Sequence, residues 1–172
     1  HFTSGYPGNT ATHLVAQGKD VLLLRTFSKI FGMAGMRVGF VMGRPDLIAK
    51  LDMYDGGALN TDLPIPSIAC AAASLTQASL IAERRKQLAE VRGMTVDFLK
   101  KRNLRLILPT ETNMLMVDWK TKTAHEMQTA FRAQGVEISR TFPAWPTVSR
   151  ITIGSKADME GFFAAFNKVV SA

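Results

Sequence analysis

The chain has 172 residues, of which 47% are hydrophobic and 20% charged, as is ordinary for a globular core. The net charge of +7 raises the question of nucleic acid, but the basic residues are dispersed and densest on one amphipathic stretch, so we expect a solvated face and no nucleic-acid partner. No apolar run approaches the roughly 20 residues that span a bilayer, and we expect no membrane segment. The histidines lack metal-ligand spacing, so no metal site is expected, and the single cysteine, Cys70, is expected to be a small buried helix residue.

Two short strands joined by a glycine-containing turn are predicted near the start of the chain. A polar segment over residues 1–20 comes first. The continuous apolar run Val21–Phe27 then predicts a buried strand, and Arg37–Met42 predicts a second. Gly32 and Gly35 fall between them, where glycine lets the backbone turn tightly. The turn therefore joins the end of one strand to the start of the next.

A loop and a long helical tract follow the strands. Pro45 is favoured at the first position of a helix and predicts a helix that continues to Met53. The longest irregular stretch is Asp55–Pro66, and loops of this length are often functional. The tract Ser67–Arg102 is predicted to be helical, with an apolar face in its second part.

The remainder of the chain is predicted to form a small α+β unit. Its last helix places Met159, Phe162 and Phe166 at a helical spacing typical of a core-facing stripe. The predicted strands are Leu104–Leu108, Met114–Trp119, Val136–Ser139 and Arg150–Ile153, and a further helix is predicted over Ala124–Gln134. We therefore place a domain boundary on the long helical tract, with residues 1–82 ending a sheet domain and residues 83–172 forming a smaller domain.

The turn after the first strand carries the side chains best suited to chemistry. Near pH 7 a lysine amine is mostly protonated, but partial burial and a nearby cation such as Arg37 would favour the neutral, nucleophilic form of Lys29. The hydroxyls of Thr26 and Ser28 and the planar guanidinium of Arg37 suit a phosphate group. Taken singly, each of these residues could instead be an ordinary surface or strand-end residue. The glycine spacing matches neither a P-loop nor a dinucleotide-binding turn.

The stretch from Ser28 to Gly39 reads Ser-Lys-x-Phe-Gly-x-Ala-Gly-x-Arg-x-Gly. It resembles the lysine motif of pyridoxal-phosphate-dependent aminotransferases of fold type I, most closely the histidinol-phosphate aminotransferase branch. The resemblance implies that Lys29 is the Schiff-base lysine. It also implies that Arg37, Ser28 and Thr26 bind the phosphate of the cofactor, pyridoxal 5'-phosphate.

The resemblance extends to candidate substrate-binding residues. The strand Arg150–Gly154 is similar to the family's Arg-Ile-Thr-Val-Gly strand, whose arginine binds the acidic end of the substrate. Thr112 and Asn113 resemble the family's Thr-Asn pair, which approaches the active site from the small domain. The family often has Pro-Tyr-Asn in the loop before the long helix, whereas this chain has Ala-Leu-Asn-Thr-Asp from residue 58, which leaves Asn60 as a substrate-binding candidate.

The resemblance implies an α/β fold in which the end of the large fold type I domain precedes a small C-terminal α+β domain. It implies an enzyme that moves an amino group from an amino acid, or an amino-alcohol phosphate like histidinol phosphate, to a 2-oxo acid. Family members are usually homodimers. The alternatives are a decarboxylase of the same fold and a non-catalytic basic binding module, which would bind polyanions in a salt-dependent way.

We expect the start of the chain at His1 to be a truncation. The family's aspartate that pairs with the cofactor's ring nitrogen would lie upstream of it, and without that aspartate the ring is a poor electron sink. We therefore expect the fragment alone to be inactive. The sequence does not reveal the compartment, for which the cytoplasm is the default.

Overall fold

The computed structural model describes residues 2–5, 8–55, 63–138 and 140–171. The chain divides into two compact units, His1–Arg85 and Lys86–Ala172. The helices are α1 (Thr12–Ala16), α2 (Pro45–Asp55), α3 (Ile65–Thr76), α4 (Leu80–Lys100), α5 (Ala124–Arg132) and α6 (Lys156–Ser171). The strands are β1 (Leu23–Thr26), β2 (Gly39–Met42), β3 (Arg105–Leu106), β4 (Met114–Asp118) and β5 (Val148–Thr152). The boundary between the units and the expected boundary at residues 82 and 83 both fall within helix α4.

Strands β1 and β2 of the first unit form an antiparallel pair in which Thr26 lies opposite Gly39. The pair is shorter than predicted, and the prediction that the segment Val21–Phe27 is a buried strand is wrong, since Leu22 is 37% exposed and Leu24 is 75% exposed. Within the described residues these strands pair only with each other, so both outer edges of the ribbon lack a neighbouring strand. Continuous hydrophobicity indicated how apolar the strand is, but it could not indicate what covers the strand.

The turn after β1 is fixed by its own apolar side chains. A small core of buried side chains consists of Phe27, Ile30, Phe31, Met33, Val38 and Ala71. The rings of Phe27 and Phe31 lie 4.9 Å apart between centroids. The Ser67 hydroxyl on helix α3 donates to the Met36 carbonyl at 2.6 Å. The turn is thus anchored on α3, whose Cys70 faces away and is exposed, contrary to expectation.

The long helical tract is broken in two. Helix α3 ends at Thr76, and Gln77 has a non-helical ψ of 89° before helix α4 begins at Leu80. The axes of the two helices are bent by 86° at this break. No single described helix has the length and hydropathy of a membrane span, and among the described residues only this bent pair reaches them together. The prediction of one continuous helix is therefore wrong at Gln77, where no glycine or proline marks the break.

The second unit is an antiparallel sheet in the order β3-β4-β5 with helices packed on it. Its core includes Leu115 and Val117 of β4, Phe131 of α5 and Phe166 of α6, and this confirms the predicted aromatic stripe. Strand β3 is shorter than predicted. Residues 136–138 form no strand, because side chains of α5 hold this backbone: Gln128 donates to the Ile138 carbonyl at 3.2 Å.

Candidate active site

The hydroxyls of Thr26 and Ser28 lie side by side where β1 ends. Thr26 Oγ1 donates to Ser28 Oγ at 2.8 Å. The same Thr26 oxygen accepts a hydrogen bond from the Ser28 backbone nitrogen at 3.0 Å. Thr26 is exposed and Ser28 is half-buried. The strand end therefore presents a pair of hydroxyl groups to solvent.

Lys29 lies next in a tight turn and is exposed. The Gly32 backbone nitrogen donates to the Lys29 carbonyl at 2.9 Å, and Gly32 has a φ of +69°, which favours glycine. Phe27 and Ile30 are each 3% exposed. Because these neighbours are held in the small core, the turn directs Lys29 outward. The partial burial expected for its amine does not occur within the described residues.

Arg37 approaches the same turn from the other arm of the hairpin. The Phe27 backbone nitrogen donates to the Val38 carbonyl at 3.3 Å, which extends the pairing of β1 and β2 by one residue. Arg37 has a φ of 53°, in the left-handed region, and its Nη1 donates to the Ala34 carbonyl at 2.7 Å. Among the described residues it forms no ion pair. The hairpin thus brings Arg37 to the end where Thr26 and Lys29 lie.

The electrostatics of this hairpin end favour an anion. Its sequence from Thr26 to Gly39 contains Lys29 and Arg37 but no acidic residue. A third cation was missed by sequence reasoning: Arg84 of α4 places Nη1 3.6 Å from the point where a Gly32 Cβ would stand. Arg84 belongs to the basic amphipathic stretch that the sequence predicts to be a solvated face. Its signal in the sequence is its spacing from Leu80 and Ile81, which pack against the small core.

Arg150 lies in the second unit, on strand β5. It pairs with Met116 of β4. Its neighbour Ile151 is 3% exposed and belongs to the core, whereas Arg150 is half-buried with its Nε enclosed. Because side chains alternate along a strand, Arg150 lies on the face of the sheet opposite the core. An arginine there presents a planar donor fork at the sheet surface.

Asn113 lies just before β4 and is half-buried. Its carbonyl accepts a hydrogen bond from the Ile153 backbone nitrogen at 2.9 Å, which extends the ladder between β4 and β5 by one residue. Asn113 therefore lies beside Ile153 at the end of the ladder, just outside β4 and three residues before Met116, the partner of Arg150. Asn60 lies outside the described residues, so the structure does not place it.

Comparisons with known proteins identify the class to which this fold and these residues belong. The family model for aminotransferase class I and II matches residues 1–166. The chain is 32% identical to the histidinol-phosphate aminotransferase of Lysinibacillus sphaericus over 91% of this chain and 42% of that protein. It is also 32% identical to the aromatic amino acid aminotransferase of Mycobacterium ulcerans over 76% of this chain and 38% of that protein.

Solved structures agree with this family. A structure from Erwinia carotovora atroseptica, provisionally named a histidinol-phosphate aminotransferase, has a TM-score of 0.89 at 27% identity, covering 99% of this chain and 48% of its own. The histidinol-phosphate aminotransferase of Sinorhizobium meliloti, solved with pyridoxal-5'-phosphate, has a TM-score of 0.76 at 24% identity, covering 88% of this chain and 41% of its own.

The chain therefore belongs to the aminotransferase class I and II family. The predicted α/β class, with part of the large fold type I domain, is confirmed by the structural similarity. The chain spans less than half the length of the relatives described above. None of those relatives is named a decarboxylase, and that alternative finds no support.

Proposed function

We propose that the complete protein containing this chain is a pyridoxal-phosphate-dependent aminotransferase. The observation that carries the proposal is the hairpin end on which Thr26, Ser28, Lys29 and Arg37 meet. Ser28, Lys29 and Arg37 belong to the motif that extends from Ser28 to Gly39, and Thr26 precedes it, all within the residues matched by the family model. A basic binding module would need none of this arrangement, and the family match weighs against that alternative.

The residues present fit the phosphate end of the cofactor. Adjacent hydroxyls of Thr26 and Ser28 can donate to phosphate oxygens, and the guanidinium of Arg37 supplies a charge-assisted donor without a competing carboxylate in its own loop. Lys29 would hold the cofactor covalently through Nζ. When bound, pyridoxal phosphate supplies an aldehyde carbon for the amino group and a ring that withdraws electrons from the reacting bond.

Lys29 then serves as the proton carrier of the site. With cofactor and substrate bound, the Nζ of Lys29 would stand beside the reacting carbon as a free amine. It would accept a proton from the substrate carbon that bears the amino group and return a proton on the product side, acting first as base and then as acid. The burial of Phe27 and Ile30 holds the backbone of Lys29 in place, so the amine moves only within the reach of its own side chain.

The acidic end of the substrate is assigned to Arg150, whose donor fork matches carboxylate and phosphate alike. Asn113 and Asn60 are proposed as further substrate contacts. The donor is an amino acid or an amino-alcohol phosphate like histidinol phosphate, as the names of both kinds of relative suggest. The acceptor is a 2-oxo acid. We further propose that the complete protein is a homodimer.

The test is borohydride reduction of the full-length protein containing this sequence, loaded with pyridoxal phosphate, followed by mass mapping. We expect the pyridoxyl label on the Lys29 peptide of the wild type. The variant Lys29→Arg, which keeps the positive charge, should lose both the label and the transamination activity. Histidinol phosphate and an aromatic amino acid are then compared as donors with 2-oxoglutarate as acceptor. A label on another lysine, or release of carbon dioxide instead of a 2-oxo product, would refute the proposal.

A further inference from the structure

Arg92 of helix α4 binds the backbone that leads into strand β4. Its Nη1 donates to the Glu111 carbonyl at 2.6 Å and to the Thr112 carbonyl at 3.4 Å. The next residue is Asn113, whose carbonyl is bonded to the Ile153 backbone nitrogen at 2.9 Å. Arg92 thus contacts the two peptide carbonyls that immediately precede a proposed substrate contact.

The position of Arg92 on α4 explains how a charged side chain reaches this segment. Arg92 is half-buried, and the helical repeat places Leu88 and Thr95 beside it. Thr95 is fully buried, and Leu88 packs against the core of the second unit. The apolar stem of the arginine can lie along this surface while the guanidinium reaches its edge. A permanently charged, multi-donor group can then bind more than one carbonyl.

The segment itself has little regular structure to fix it. The hydroxyls of Thr110 and Thr112 both donate to the Met114 carbonyl at 3.2 Å. The Met114 backbone nitrogen donates back to Thr112 Oγ1 at 3.2 Å. These bonds close the segment on itself, so they do not orient it against a neighbouring element. The bond from Ile153 fixes the segment at Asn113, and the bonds from Arg92 connect the two preceding residues to helix α4.

We propose that Arg92 is a positioning residue for substrate binding. By holding the carbonyls of Glu111 and Thr112, it sets where Asn113 stands just before β4, the strand that pairs with the strand of Arg150. The inference rests on the proposed function, because it assigns Arg92 to the substrate side of the site. Arg92 acts through the segment that it holds, which lies with it in the second unit.

The test uses Arg92→Gln and Arg92→Lys in the full-length, cofactor-loaded protein. We expect Arg92→Gln to raise the KM for the amino donor about 10-fold with little change in kcat, since misplaced binding groups weaken binding steeply. Hydrogen exchange at the backbone of residues 112–114 should accelerate. Arg92→Lys, which keeps a charged donor, should restore most of both properties. The borohydride label on Lys29 should persist in both variants.

The matched control is Arg102→Gln. Arg102 also lies in the second unit, donates to the Phe98 carbonyl at 3.0 Å and stacks on the Phe98 ring, but it is bonded to Asn167 and not to the segment before β4. An unchanged donor KM in Arg92→Gln would overturn the inference. The inference would also be overturned if Arg92→Gln and Arg102→Gln both lowered kcat, raised the donor KM and lowered the melting temperature. That result would indicate general destabilisation. An unlabelled Lys29 in the wild type would instead refute the proposed function, and the substrate role of Arg92 with it.

Discussion

Arg37 combines an unusual backbone conformation with a chemical role. Its φ of 53° lies in the left-handed region, which costs a residue with a Cβ about 1 kcal/mol or more. The bond from Nη1 to the Ala34 carbonyl at 2.7 Å holds the side chain in that conformation. Strained residues of this kind cluster at functional sites. The strained backbone therefore fits a guanidinium that is preorganised to bind an anionic ligand.

At this residue the predicted change is in cofactor affinity. Arg37→Gln should weaken pyridoxal phosphate binding to the full-length protein about 10- to 100-fold, because a charge-assisted hydrogen bond contributes about 1.5–3 kcal/mol. Arg37→Lys should be intermediate, since it keeps the charge but loses the planar fork. Spectrophotometric titration measures the dissociation constants, with the exposed Lys50→Gln as control. Equal affinities in wild type and Arg37→Gln would exclude Arg37 as a phosphate ligand.

Among the elements, the hairpin of β1 and β2 depends on close backbone contact at Gly39. A Cβ at this position would stand 2.6 Å from the Arg25 carbonyl oxygen, so the strands cannot pair as they do with any larger residue. Gly39→Ala should therefore separate Arg37 from Thr26, lower cofactor affinity and reduce the melting temperature. The control is Gly93→Ala on α4, where a Cβ meets nothing within 4 Å. It should stabilise the protein by about 0.5–1 kcal/mol. A fully active, fully stable Gly39→Ala would contradict this account.

Elements encoded by local pattern were predicted from the sequence, and elements that depend on distant neighbours were not. The aromatic stripe of α6 and the turn carrying Lys29 follow from spacing within one segment. The break at Gln77 and the exposure of Leu24 depend on what packs against them. Arg92 was missed for the same reason: on a charged helix only the contact with Glu111 distinguishes it from a solvated arginine. The substrate assignments of Arg150 and Asn113 remain predictions.

For the molecule as a whole, the acidic groups predict a loss of stability in acid. Asp118 accepts hydrogen bonds from the Lys120 backbone nitrogen and the Thr147 hydroxyl, each at 2.9 Å. These two hydrogen bonds lower the pKa of Asp118 below its ordinary value, and the bond from the Lys120 backbone has the larger effect. The bonded Thr123 backbone and hydroxyl likewise lower the pKa of Glu126. A carboxylate whose pKa is lowered by folding stabilises the folded state fully at pH values above its unfolded-state pKa of about 4. This stabilisation is lost as the pH falls through the folded-state pKa.

The resulting prediction concerns Asp118→Asn. It should reduce the free energy of unfolding at pH 7 by about 1 kcal/mol, and the difference from wild type should shrink as the pH falls below about 4. Urea unfolding at a series of pH values measures this difference, with the exposed Asp97→Asn as control. A difference that stays constant with pH would show that the charge on Asp118 does not stabilise the folded state.

The outward position of Lys29 between Phe27 and Ile30 restricts how this protein can vary in length. The side chains two positions before and one position after the lysine are both 3% exposed, so the order of buried and exposed residues along this turn is fixed. An insertion or deletion of one codon within this turn would shift that order, burying the amine and exposing an aromatic ring. Length variation among natural homologues should therefore avoid this turn and accumulate in surface connections such as the one at Lys120–Lys122.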